Sequence, residues 1–173
     1  MGHLVPLDLS MHLDDFVQLN VEYLSWMYRQ LEENYQIDAA SIIGLTPSEY
    51  VYSHLEELIS LNPPDGVIYL VVVDGEIAGM GAVRKLSEEL GEIKRMYTRP
   101  SFRGRGYRRR MLNRLLAAGR EFGCSSFLLD SPRWSHAAHH LYRSTRFEER
   151  GEYPESEVSP VFRSYWLYME KKG

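Results

Sequence analysis

Val67 to Val73, VIYLVVV, is apolar without a break and mostly β-branched. A strand with one wet face would alternate, so this run reads as a strand covered on both sides. Asp74-Gly75 supplies a two-residue turn and EIAGMGAVRKL returns beside it, which predicts a hairpin at the centre of a sheet. The rest of the chain must cover that hairpin.

The flanking sequence has the periodicity to do so. Leu4 to Asp8 reads as a short first strand, and Ser10 as the N-cap of a helix. Leu13, Phe16, Val17, Leu24, Met27, Tyr28 and Leu31 recur at helical spacing, predicting an amphipathic helix over about 12–35. A second helix is expected from Thr46, with Pro47 at its first position and Glu49 three residues after the cap; it stops before Asn62, Pro63 and Pro64. After Gly91 come the strand EIKRMYT, a loop of glycines and arginines, and a helix with Met111, Leu115, Ala118 and Phe122 on one stripe. Next are the strand SSFLLD, a helix opened near Pro132 and Ser135 and running to about Arg146, and two last strands, GEYPE and VFRSYWLYMEK. This order describes an α/β fold with a mixed sheet, in one domain over 1–173.

Charge is unevenly placed. Residues 1–93 carry 16 Asp and Glu against 3 Lys and Arg, whereas residues 94–120 carry 10 Lys and Arg and no acid. A basic island in an acidic chain suits a site that receives an anion. Nucleic acid is disfavoured as the anion, because these arginines run straight into an apolar-striped helix and most of the remaining chain is acidic. The single cysteine, Cys124, provides no disulfide framework and suits a reducing compartment. MGHLVP has neither a signal-peptide apolar core nor a myristoylation Ser/Thr, and no run is long enough to span a bilayer. A cytoplasmic protein without a membrane partner is expected.

The basic island centres on RPSFRGRGYRRRML, 99–112. A strand ending at Thr98, a loop holding Gly104 and Gly106, and a helix starting near Tyr107 would bring several backbone N–H groups to a positive helix end, a geometry suited to a diphosphate. EIKRMYTRPSFRGRGYRRRML resembles the signature of the GNAT superfamily of acetyl-CoA-dependent N-acetyltransferases: Gln or Arg, two residues, Gly, one residue, Gly or Ala. Arg103 and Gly106 match it, and Arg108 departs from it. LLDSPRWSHAAHHLYRSTRF resembles the second cofactor segment of that family, with Arg146 in place of a glycine before Phe147.

The resemblance implies an acyl-CoA N-acyltransferase fold, with a mostly antiparallel central sheet flanked by helices. It also implies acetyl-CoA as cosubstrate, its diphosphate on the backbone N–H groups of Arg103, Gly104, Arg105, Gly106, Tyr107 and Arg108 and its pantetheine arm along Met96, Tyr97 and Thr98. Ser135 and Ala138 would lie against the lower pantetheine and adenine, although Ser135 reads equally as an N-cap; Asp130 is the least specified position. Acetyl transfer needs a neutral amine, oxyanion stabilisation and a proton for the thiolate. Glu92, eleven residues before Arg103, is the candidate base, or else a strand-start glutamate paired with Arg95 or Lys94 and solvent. Tyr142 is the candidate proton donor, and main-chain N–H near Met96 to Thr98 the oxyanion site.

The acceptor implied is a primary amine of a small molecule or peptide, and a homodimer is one assembly the family uses. The acidic first half raises a cationic acceptor such as a polyamine, against a merely solvated acidic surface. Tyr23, Trp26, Tyr28, Tyr35, Tyr50 and Tyr52 read as core and groove. His136, His139 and His140 lack a third cluster of ligands, so no metal is expected.

Overall fold

A computed structural model describes residues 1–173. In chain order the elements are β1 (His3–Pro6), α1 (Leu9–Tyr35), α2 (Ala39–Ile43), α3 (Pro47–Ser53), α4 (Leu55–Leu58), β2 (Gly66–Val73), β3 (Glu76–Lys85) and β4 (Leu90–Thr98). They continue with α5 (Tyr107–Glu121), β5 (Ser126–Pro132), α6 (His136–Ser144), β6 (Glu148–Arg150) and β7 (Trp166–Lys171), with 3-10 turns at Pro100–Phe102 and Pro160–Tyr165. The strands form one sheet in the order β1-β2-β3-β4-β5-β7-β6, antiparallel except where β4 meets β5.

The apolar run is the heart of it. β2 is buried along nearly its whole length, and its two faces enter two separate cores. Val67, Tyr69, Val71 and Val73 pack under α5 and α6 with Met111, Leu112 and Leu115, while Ile68 and Leu70 pack under α1 with Phe16, Val17 and Leu19. Both residues of the Asp74-Gly75 turn have positive φ, 51° and 82°, as a turn matching the twist of the strands requires. No helix is long and apolar enough to cross a membrane.

Four local expectations are corrected. Asp8, not Ser10, caps α1: its carboxylate accepts from the Ser10 N–H at 2.9 Å, and the shorter first strand ends at Pro6. The helix expected from Thr46 to Asn62 starts with the foreseen capping box, but it breaks at His54 into α3 and α4. Val51 and Leu58 still reach the core under α1. GEYPE is a loop; the penultimate strand is the preceding Glu148–Arg150, and β7 begins only at Trp166. Loop 151–159 instead buries Tyr153 and Ser156 and turns inward. Lastly, Pro132 belongs to β5, and α6 starts at His136 with Ser135 in its N-cap position but making no side-chain cap bond.

Candidate active site

The site is made by a defect in the sheet. β4 and β5 pair in parallel only from Leu90↔Ser126 to Ile93↔Leu129. Beyond that point Arg95 adopts φ 54°, and the β3–β4 register slips between Met80 and Ala82. A bulge of this kind bends one strand away from its neighbour. The opened cleft, about 40 Å³, is lined by Met96, Arg108, Ser135, Ala138 and Tyr142 among others. On the other side lies a cavity of about 740 Å³ between α1, α3 and the 3-10 turn before β7. Tyr23, Lys94, Arg95 and Asp130 line both, so the two spaces meet there.

Next to the mouth of the cleft, Gly104 and Gly106 have φ 75° and 80°, and no atom lies within 4 Å of where their Cβ would stand. The loop needs glycine for its left-handed backbone rather than for space. No side chain caps α5 and its first turn contains no acid, leaving its N–H groups and dipole facing solvent. The side chains of this loop are already engaged. Arg103 donates through Nε to the Thr98 carbonyl at 2.9 Å and lies over the rings of Trp26 and Tyr97, Arg105 lies over Phe102, and Tyr107 is buried in the core. Arg108 lines the cleft.

Tyr142 projects from α6 into the cleft with its hydroxyl 3.9 Å from Met96 Sδ. Burial raises its pKa, with Arg108 opposing, so the hydroxyl is a proton carrier at neutral pH. Phe147 N donates to the Tyr142 carbonyl and Arg146 N to that of Arg143, both at 3.0 Å. This is the closing turn of a helix with its left-handed position held by Arg146 at φ 67°, which is the physical sense of the glycine that Arg146 replaces.

Glu92 is 2% exposed and reaches neither solvent nor Arg95. Its Oε1 accepts from Arg84 Nε at 2.8 Å, with Lys94 Nζ at 3.8 Å, and its Oε2 accepts from the Tyr153 hydroxyl at 2.8 Å. Asp130 lies inside β5, and its Oδ2 accepts from Ser156 Oγ at 2.8 Å and from the Tyr153 hydroxyl at 3.4 Å. Burial and the charge of Glu92 push the Asp130 carboxyl up to about 6. Glu157 bridges Lys94, Arg84 and Arg95, tying the loop across the cavity.

Sequence reasoning missed Arg84, Tyr153, Ser156 and Glu157. Arg84 was within reach, since it faces Glu92 directly across the β3–β4 ladder. The other three come from an irregular loop with no periodicity to read. The acidic first half contributes only Glu57 and Glu92 to the large cavity; Asp130 and Glu157 come from the second half. Among the aromatics, Tyr23, Tyr28 and Tyr50 line this cavity, Trp26 lines the cleft, and Tyr52 is exposed. His139 is buried against Ser131 Oγ at 3.2 Å, and no group of three His, Cys, Asp or Glu side chains is gathered for a metal ion. Cys124 is buried in the core beneath the α5–β5 turn, and burial raises its thiol pKa.

A seven-stranded sheet thus opens beside its one parallel pair, and a glycine loop leads into a helix at the opening. The acetyltransferase (GNAT) family model matches residues 23–147. The IAA acetyltransferase of Azospirillum brasilense is 32% identical over 120 residues, 69% of this chain and 76% of that protein. Among solved structures, the PaiA N-acetyltransferase of Thermoplasma acidophilum, in complex with coenzyme A, superposes with TM-score 0.70 at 14% identity over 100% of this chain and 99% of that one. A GNAT family acetyltransferase from Elizabethkingia anophelis, with acetyl-CoA bound, gives TM-score 0.62 at 13% identity over 99% and 98%. The chain belongs to the GNAT family of acetyltransferases.

Proposed function

We propose that this acetyltransferase moves an acetyl group from acetyl-CoA directly to a primary amine of a small molecule or peptide. The observation that carries the reading is the junction of the two spaces at Tyr23, Lys94, Arg95 and Asp130, where a thioester entering through the cleft would face an amine entering through the cavity. Acetyl-CoA supplies an activated acyl carbon; the chain supplies position and proton transfer. Main-chain N–H groups of Arg103 to Arg108 hold the diphosphate, and the free side of β4 from Met96 to Thr98 lies along the pantetheine arm and holds the oxyanion. Ser135 and Ala138 border the lower arm. The Tyr142 hydroxyl protonates the departing sulfur, and the carboxylates of Glu92 and Asp130 draw in the ammonium.

Fourteen of the 23 residues lining the large cavity are hydrophobic, which favours an amine on an apolar body over a polyamine. A homodimer, if formed through an edge strand, would use β1 or β6. The test is thiol release from acetyl-CoA with n-hexylamine, benzylamine, glycinamide and spermidine, alongside calorimetric titration with coenzyme A. The expected result is binding together with turnover, fastest on the apolar amines. Binding without thiol release on any amine would instead favour an acyl-CoA-binding domain, and absence of binding would overturn the reading.

A further inference from the structure

We infer that Asp130, rather than Glu92, is the catalytic base that takes the proton from the acceptor ammonium, and that Glu92, Tyr153 and Ser156 are positioning residues that hold and tune it. The inference rests on the acetyl-transfer reading above and concerns the same site.

The two carboxylates differ in what remains free. Both oxygens of Glu92 are occupied, one by the Arg84 guanidinium and one by the Tyr153 hydroxyl, each at 2.8 Å. With a guanidinium on one oxygen and a phenol on the other, Glu92 has no unoccupied oxygen to offer an ammonium. Asp130 spends only Oδ2, on Ser156 and, at longer range, on Tyr153. Its Oδ1 accepts from no protein donor and is not sealed in the interior. The placement differs too: Glu92 lines the large cavity only, whereas Asp130 lines both cavity and cleft and shares the cleft with Tyr142. A base on β5 and a proton donor on α6 thus line one cleft.

The surroundings suit the task. Charged and titratable groups face Asp130 from every neighbouring element: Tyr23 on α1, Glu92 and Lys94 on β4, Tyr142 on α6, Tyr153 and Glu157 on the loop, and Tyr168 on β7. Burial and Glu92 raise Asp130 toward about 6, while Ser156 and Lys94 pull it down. A base titrating just below neutrality is ionised at working pH yet basic enough to accept a proton. In the step itself, the ammonium N–H bond breaks and its proton passes to Asp130 Oδ1 and out through the large cavity. The freed nitrogen lone pair adds to the thioester carbon, forming the C–N bond and placing the carbonyl electrons on the oxyanion, which then collapses with cleavage of the C–S bond. The second nitrogen proton replaces the one that Tyr142 gives to the thiolate, so one proton leaves to solvent for each amide made.

The experiment measures kcat at saturating acetyl-CoA and saturating amine, using whichever of the four panel amines turns over fastest, from about pH 5 to about pH 9. Wild type is compared with Asp130→Asn, Glu92→Gln and Ser156→Ala. Thiol release is followed with a dipyridyl disulfide, and coenzyme A affinity is measured for each variant. Asp130→Asn is expected to keep coenzyme A affinity and lose about 100-fold or more in kcat, together with the acidic limb of the profile. The two positioning variants should keep the limb and move it in opposite directions by roughly half a pH unit or more. Glu92→Gln moves it down because a neighbouring negative charge is gone, and Ser156→Ala moves it up because a hydrogen bond to the anion is gone. A merely structural role for either residue would not displace the limb in opposite senses, and these shifts decide the matter even if Asp130→Asn fails to fold.

The inference is overturned if Asp130→Asn keeps kcat within about tenfold with its acidic limb intact, or if Glu92→Gln abolishes the limb. Absence of wild-type turnover on every amine, with coenzyme A still bound, removes the acetyl-transfer reading first and this assignment with it.

Discussion

Replacing Tyr153 by Phe removes one oxygen from a fully enclosed place. Tyr153 is 1% exposed, and its hydroxyl is the donor to Glu92 Oε2. The phenyl ring keeps its edge contact with Tyr168, centroids 5.8 Å apart, so no cavity larger than the lost oxygen opens and the packing contribution is small. What is lost is a hydrogen bond to a charged acceptor in a water-excluded site, about 1.5–3 kcal/mol. The Arg84 pair to the other oxygen survives, so the lower half of that range applies, about 2 kcal/mol. Urea denaturation should show a lower midpoint at unchanged slope, and the melting temperature should fall by roughly 4–8 °C for a chain of this size. The same substitution made in a Glu92→Gln background should cost only about half as much, because the acceptor has lost its charge. A loss below about 0.5 kcal/mol, or an equal loss in both backgrounds, would refute the reasoning that the hydroxyl serves this carboxylate.

Arg146→Gly relieves a left-handed residue at φ 67°; after the entropy that glycine costs, it should stabilise by about 0.5–1 kcal/mol in the same denaturation assay. Gly119→Ala should destabilise by roughly 1–2 kcal/mol despite the better helix propensity of alanine, because the new Cβ would run into the Phe127 ring. Asp130 titrates at about 6 folded against an ordinary 3.8, so the folded state holds the extra proton between those values. Its contribution to stability therefore falls as pH rises from about 4 to 6 and stays low above that, by at most about 3 kcal/mol. The difference in melting temperature between wild type and Asp130→Asn should accordingly be pH-dependent across that window and flat above about pH 7.

Much of this was legible in the chain itself because it is written in local periodicity and local backbone need. The unbroken apolar run demanded a two-sided cover, Asp74-Gly75 demanded a tight turn, and the glycines before Tyr107 demanded a left-handed loop ahead of a helix. Each is a property of a few consecutive residues, so no partner had to be known. The order of strands and helices follows from the same kind of signal, while the family resemblance rests on the motif around Arg103 and Gly106.

The carboxylate site is of another kind. Arg84 and Glu92 meet across a ladder, Tyr153 reaches Glu92 over 61 positions, and Ser156 reaches Asp130 over 26. Loop 151–159 carries these contacts without any repeat that marks an inward-facing residue, and GEYPE reads as a strand until its tyrosine is found buried. Which glutamate or aspartate stays free to accept a proton depends on who occupies its oxygens. That is a fact of three-dimensional neighbourhood, decided only when β4 and β5 part and the loop folds over the gap.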